Sequence, residues 1–403
     1  MKDSARIQTA IEILDLLFEF RQPADNAINT YFRTHRYIGG TDRRVISDLV
    51  WRTLRCYGRL SSLSAEKLTG RAAVMMLLSY EKQDIETLFD GQKYAPAQPE
   101  AKEKAFLKTL PPVFPSAELE CPDWLKNKIS PRDIVAMSNE APFDLRVNTL
   151  KTDREQVLEL LTQSGIKAEK TPFAPNGIRI KERVNLSSMP LYQDGLIEVQ
   201  DEGSQIVSLL TQAKAGQTVI DWCAGAGGKT LALSAMMQAK GTIYAVDNDP
   251  KRMRDLPQRA CRAGANNVIV LNDYNHLKTY DLVLIDAPCT GTGTWRRSAD
   301  ARWRITPQQS AGIIKTQREI LDKACRFVKK GGQLFYITCS LDSAENEEQA
   351  SGFLERHREF QLQDLSVVLE RLTSRKETTK TVRLSPSVDQ TDGFFAASFI
   401  KLR

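Results

Sequence analysis

Residues 221–230 read DWCAGAGGKT, an acid followed within a few positions by three glycines, two alanines and a Lys-Thr pair. A turn of such small residues lets the backbone approach a nucleotide-like ligand, and three ligand classes compete for it. A P-loop needs glycine, four residues, then Gly-Lys-Ser/Thr. Counting back from Gly228-Lys229-Thr230, the first glycine would have to stand where the chain has Cys223. A dinucleotide fingerprint needs a third glycine three places after the second, and Gly225 and Gly227 put that position at Thr230. The third class is the turn of a methyltransferase that uses S-adenosylmethionine (SAM). Its cofactor has no phosphate to wrap, so glycine is needed only for close approach. The turn by itself leaves the choice open.

The surrounding pattern narrows it. "QTVID" before the turn predicts a strand, and Leu231, Leu233 and Met236 after it mark a helix. "TIYAVD", "NVIVLND" and "YDLVLID" follow as strands, the last two almost continuously apolar, as buried parallel strands are. A long helix is expected to open at Thr306-Pro307 and close at Gly331-Gly332, before a fifth strand, "QLFYITCS". Strands alternating with helices imply a parallel, doubly wound sheet with ligands beyond the carboxyl ends of the strands. "TDGFFAASFIKL" has no helix to return it parallel and is expected as an antiparallel edge hairpin.

Upstream the chain changes character. Residues 1–92 carry apolar residues at helical spacing (Ile7, Ile11, Leu14, Phe18; then Val45, Ile46, Leu49, Val50, Leu54). Between these runs lies "FRTHRYIGGTDRR", either a solvated connection or an RNA-contacting patch. Residues 93–121 carry five prolines and are expected to be a linker. "DLRVNTL", a helix capped by Thr152 with Glu155, "GIRIK" and "GLIEVQD" then give a β-α-β-β order that suits an RNA-binding sheet and many other small units. The expected division is 1–115 helical with linker, 116–200 small α+β, and 201–403 catalytic. The chain has 403 residues, a net charge of +6 and a pI near 8.8; it is mildly basic, compatible with a polyanionic partner. No apolar run reaches the length of a membrane span. The first apolar segment is broken by Glu12, Asp15 and Glu19, so no signal peptide is expected. Seven scattered cysteines without a C-x-x-C pair argue against a disulfide framework and a metal site. A cytoplasmic monomer is the expectation.

The polar residues concentrate at strand ends. Asp247 ends the second strand, where a carboxylate can accept the ribose hydroxyls of an adenosyl group. Asp273 ends the third, Asp286 the fourth, in "DAPCTGTGTWRR", and Cys339 the fifth, in "ITCS". Taken singly, each acid suits a turn or a helix cap, and each cysteine a small buried hydrophobe. Together they face one ligand side. Cys289, between Pro288 and a Thr-Gly-Thr-Gly turn, is expected in irregular, exposed backbone. Cys339 lies just before a helix start, where a thiol is acidified. Two thiols beside a SAM-like turn suggest covalent catalysis on a pyrimidine. Cytosine C5 is a poor nucleophile until a thiolate adds at C6, and a carboxylic acid at N3 and the amine stabilises the charge that develops.

"DWCAGAGGKT", "DAPCTGTGTWRR", "YITCSLDSAENEEQ" and "TDGFFAASF" resemble the RsmB/Sun (Fmu) family of RNA cytosine-5 methyltransferases, as do the upstream "LRVNTLK" and "VQDEGSQIV". The likeness runs from about residue 121 to the end. "TDRRVISDLVWRTLR" more weakly resembles the NusB-like RNA-binding domain of the RsmB branch. The resemblance implies an α/β Rossmann-like SAM methyltransferase domain, preceded by an RRM-like segment and an all-α domain. It implies Cys339 as the nucleophile and Cys289 as the thiol that assists product release. It assigns Asp286 and Lys229 to the target cytosine. The cofactor falls to the turn Cys223, Ala224, Gly225, Ala226, Gly227, Gly228 and Lys229, with Asp247, Arg252, Asp273 and Asp286. Many members carry Ala-Pro where this chain has Gly225-Ala226, which frees one φ angle and restores an N–H. Ribosomal RNA is the implied substrate, with tRNA as the alternative. A P-loop ATPase would leave both cysteine motifs unexplained, and a non-enzymatic RNA-binding assembly factor predicts decay of these residues, all of which are present.

Overall fold

The computed structural model describes residues 1–182, 184–273 and 278–402. Two compact units emerge. One comprises 1–140 together with 295–307; the other comprises 141–294 with 308–403.

The first unit is helical. Helices Asp3–Leu17, Gly40–Arg55 and Gly70–Tyr80 pack around Ile7, Leu14, Val50, Leu54 and Val74, all buried. The proline-bearing stretch is part of this body and no mere linker. It contains a helix, Ala101–Thr109, opened by a reciprocal cap between Glu100 and Glu103. Phe106, Leu107, Leu110 and Phe114 pack against the helical core. Residues 295–307 complete it. Trp295 and Arg302 are wholly buried, and the Arg302 guanidinium stands 5.1 Å from the Trp295 ring. Arg302 donates to the carbonyls of Glu120 (2.7 Å) and Met137 (3.0 Å). Burial pushes its pKa down to about 10, against the pull of Glu120. The Glu120 carboxylate, equally buried, accepts from the backbone N–H groups of Gly58 and Arg59 and from the Arg59 side chain. Charged side chains this deep persist only because each is hydrogen-bonded.

The second unit carries two sheets. The smaller has β1 (Phe143–Val147), β2 (Ala168–Lys170), β3 (Gly177–Ile180) and β4 (Ile197–Val199), all antiparallel in the order β2-β3-β1-β4. A helix, Arg154–Gln163, crosses between β1 and β2; its N-cap is Asp153, which accepts from Gln156 N, so the cap falls one residue after the Thr152 expected from the sequence. The sheet has no open face at β1. Asp144 and Arg146 are buried; Asp144 pairs with Arg179 at 2.7 Å, and Arg146 donates to Leu231 O in the helix Gly228–Met236.

The larger sheet has β5 (Thr218–Asp221), β6 (Thr242–Ala245), β7 (Val268–Val270), β8 (Tyr280–Asp286), β9 (Val328–Thr338), β10 (Phe360–Gln363), β11 (Val382–Leu384) and β12 (Phe394–Lys401), in the order β10-β12-β9-β8-β5-β6-β7, with β11 also on β12. β5 to β9 are parallel, as expected from the apolar runs. β12 is antiparallel to β9 and forms a hairpin with β11, while β10 covers its outer side. One expected boundary moves. The long helix ends at Ala324 and a short turn, Cys325–Phe327, closes it. Gly331 and Gly332 lie inside β9, where the register against β8 jumps between Tyr280 and Leu282. Gly331 has φ +72°, so the pair builds a bulge where a helix cap was expected.

Candidate active site

The glycine turn joins β5 to the helix Gly228–Met236. Ala224 N donates to Val246 O at 3.1 Å, which holds the turn against the end of β6. Gly227 has φ +83°, and a Cβ there would lie 2.1 Å from Leu256 Cδ1. Only glycine serves at that position. Ala226, where proline is commoner, is exposed, and its carbonyl accepts from Arg259. Asp221 is buried behind the turn, accepting from Thr230 Oγ1 at 2.7 Å. Burial, together with the charges of Asp286 and Asp247, pushes its pKa up to about 7.

Beyond the strand ends lies a cavity of about 460 Å³ bordered by Trp222, Cys223, Asp247, Arg252, Pro288 and Ile320. Asp247 is almost wholly buried; one oxygen accepts from Gly225 N (2.9 Å) and Arg252 (3.2 Å), the other from Asp249 N (3.0 Å). A carboxylate oxygen keeps lone-pair capacity beyond one such bond. A half-open cavity with an apolar wall, a carboxylate and a left-handed glycine turn fits an adenosyl group in size and chemistry. Asp273 is exposed and does not border this cavity. It adjoins residues 274–277, which lie outside the described part.

The reactive side chains meet where β8 and β9 end. Lys229 is buried and its Nζ lies 2.7 Å from Asp286 Oδ2. Burial works to lower the pKa of this lysine, but Asp286 more than offsets it and the net shift is upward. The ammonium also lies 5.3 Å from the Phe394 ring at the start of β12. Cys289 and Cys339 are half-buried, with their sulfurs 3.3 Å apart. The hydrogen bond to Cys339 raises the Cys289 pKa well above that of a free thiol, helped by burial and by the negative charges of Cys339 and Glu345. Cys289 was expected to be exposed and is not. The loop behind it is sealed, because Gly293 N donates to Cys339 O (2.9 Å) and Gly393 N donates to Gly293 O (2.8 Å). A Cβ on Gly293 would stand 2.3 Å from Gly393 O, so "TGTG" and "TDGFF" touch backbone to backbone.

The structure therefore gathers Lys229, Asp286, Cys289 and Cys339 into one cluster and places Cys223, Asp247 and Arg252 around the adjoining cavity; Asp273 joins neither. Sequence reasoning missed Asp221, Gln317 and Glu345. Glu345 stands among the acids of "SAENEEQ", a spacing that reads as charge at a helix start, and nothing local reveals that its side chain points inward.

The fold and this cluster define the Rossmann-like methyltransferase class. Residues 208–400 match the family described as 16S rRNA methyltransferase RsmB/F, and residues 122–187 match the ferredoxin-like domain described for RsmF/B-like methyltransferases. A protein of Synechocystis sp. described as a probable ribosomal RNA small subunit methyltransferase B is 30% identical over 70% of this chain and 66% of its own length. One of Bacillus subtilis with the same description is 32% identical over 64% of this chain and 59% of its own. The chain thus spans about two thirds or less of these relatives. The crystal structure of PH0851 covers 100% of this chain and 99% of its own, with a TM-score of 0.78 and 27% identity. The chain belongs to the RsmB/F methyltransferase family.

Proposed function

We propose that this protein methylates C5 of a cytosine in RNA, with small-subunit ribosomal RNA as the substrate and SAM as the methyl donor. The observation that carries the reading is the pair of thiols 3.3 Å apart at the ends of adjacent strands, beside the Lys229–Asp286 pair. A single catalytic thiol would need no partner.

The Cys339 thiolate adds to C6, forming an S–C6 bond and moving the C5–C6 electron pair onto C5. Asp286, held by Lys229, accepts from the exocyclic amine at the ring edge, and the Lys229 ammonium beside it steadies the negative charge that builds on the ring. When bound, SAM would supply C5 with an electrophilic methyl group, its sulfonium leaving as the neutral thioether. A base then takes the C5 proton, the pair restores the double bond, and the S–C6 bond breaks to release Cys339. Cys289, which holds its proton, assists that release. Asp247, Arg252 and the turn Cys223–Gly228 would hold the cofactor, and Asp273 is assigned to it on the family resemblance alone. The arginine-bearing N-terminal helices grip RNA.

Bisulfite mapping of ribosomal and transfer RNA from cells with and without the gene tests this. The expected result is one ribosomal cytosine that loses its mark in the deletion and regains it with purified protein, SAM and RNA. A mark lost from tRNA instead moves the substrate, and no lost mark in either overturns the reading.

A further inference from the structure

Glu345 is wholly buried and has four donors on its two oxygens. Oε1 accepts from the hydroxyls of Thr290 and Ser340, each at 2.5 Å. Oε2 accepts from Thr290 N and Gln317 Nε2, each at 2.9 Å. Thr290 follows Cys289, and Ser340 follows Cys339. Gln317 also donates to Pro288 O at 3.0 Å, so the residues on both sides of Cys289 are held. Asn346 does the same for Cys339, accepting from Thr338 Oγ1 and donating to Ser340 O at 2.9 Å. Tyr336 donates to Glu345 O at 2.7 Å, which anchors the clamp to β9.

We propose that Glu345 is a positioning residue for the reaction proposed above: it ties the turn carrying Cys289 to the turn carrying Cys339 and so fixes the spacing of the two thiols. Its lone pairs are filled by four donors, which leaves it no part in proton transfer. A carboxylate that only satisfied a stray N–H would bind one of these turns; this one binds both. Its charge has a second effect. Being negative and close to Cys289, it adds to the interactions that keep that thiol protonated.

The inference rests on the methyltransferase reading for its purpose and on the thiols alone for its test. Glu345→Gln keeps the shape and removes the charge; Glu345→Ala removes the clamp. In the full chain without RNA, iodoacetamide labelling of Cys289 and Cys339 is followed against pH by mass spectrometry. The rate of Cys289–Cys339 disulfide formation is followed with diamide, which takes the two electrons and two protons. In Glu345→Gln, labelling of Cys289 is expected to begin at lower pH than in the wild type. In Glu345→Ala, disulfide formation slows, and kcat for methyl transfer falls by about 10²-fold, the scale for an ångström-level misplacement, while SAM affinity holds. Unchanged labelling and disulfide rates in both variants overturn the clamp, as does a loss of kcat that merely follows a loss of Tm. If Glu345→Ala fails to fold, the labelling shift in Glu345→Gln decides the matter. If the thiols respond as expected but the wild type methylates no RNA, the functional reading falls while the clamp stands.

Discussion

Cys289 Sγ lies 3.3 Å from Cys339 Sγ, although 50 residues separate them in the chain. Parallel pairing of β8 with β9 brings the two strand ends side by side, and the hydrogen bonds behind the loops close the gap. The roles proposed for the two thiols are unequal. Cys289 is held protonated, by its bond to Cys339 and by its burial near Glu345, which suits the proposed helper in release and leaves the proposed nucleophile to Cys339.

That inequality predicts opposite variants. Cys339→Ala is expected to abolish turnover and form no covalent RNA adduct, with RNA and SAM binding retained. Cys289→Ala is expected to accumulate a protein–RNA adduct that survives denaturing electrophoresis and needs Cys339; the double variant forms none. An adduct in Cys339→Ala that depends on Cys289 would reverse the roles.

At the cofactor cavity, Asp247→Ala is expected to weaken SAM binding by about 1–3 kcal/mol, the cost of polar groups left unpaired at a buried position. RNA affinity should stay within error. Calorimetry showing full SAM affinity in the variant would remove Asp247 from the site.

Stability should carry a mark of Asp221. Its folded pKa, about 7, lies above the usual carboxylate value of 3.8. The folded state therefore binds more protons than the unfolded state between those values, and stability falls as pH rises through that window. The slope from this one group is at most about 1.4 kcal/mol per pH unit. In Asp221→Asn, which still accepts from Thr230, the urea midpoint should change less between pH 4 and pH 7 than in the wild type. Parallel pH profiles for the two proteins would show that Asp221 titrates normally.

The helical unit presents a candidate surface for the RNA proposed as substrate. Arg33, Arg36 and Arg44 are exposed around a groove of about 670 Å³ that Phe32 and Trp51 also border. Arg43 there is engaged with Phe32 O and Ile38 O, which stiffens one wall. Replacing Arg33, Arg36 and Arg44 by glutamate should lower RNA affinity and flatten its salt dependence, by roughly 0.7 in log–log slope for each single-strand phosphate no longer neutralised. Filter binding across a salt series checks this; an unchanged slope would place the RNA elsewhere. Surface variants suit the test better than deleting residues 1–115, because that deletion strips the helical unit of Gly58 and Arg59, the donors that hold the buried Glu120.

Much of this was legible in the chain. The apolar runs of "NVIVLND" and "YDLVLID" read as buried parallel strands and are paired in parallel, and the glycines of 221–230 read as a close-approach turn, where Gly225 and Gly227 take positive φ. What stayed hidden was long-range. Gly331-Gly332 looks like a helix cap and is a bulge, since local sequence does not show which strand the pair will face. Arg302 sits in "WRRSADARWR", whose charge density reads as surface, and its burial depends on carbonyls of residues 120 and 137 far upstream. Glu345 was invisible for the same reason: its donors come from residues 290, 317 and 340.

The helical unit is discontinuous in sequence, closing with residues 295–307. During synthesis the amino-terminal helices leave the ribosome first, yet Trp295 and Arg302 are added only after β5, β6, β7 and β8. Until then the carbonyls of Glu120 and Met137 lack the guanidinium that satisfies them. The first unit to emerge therefore waits for residues 141–294 of the other unit to be made before it can be finished, and a nascent chain arrested before residue 295 should remain open to protease in its helical part.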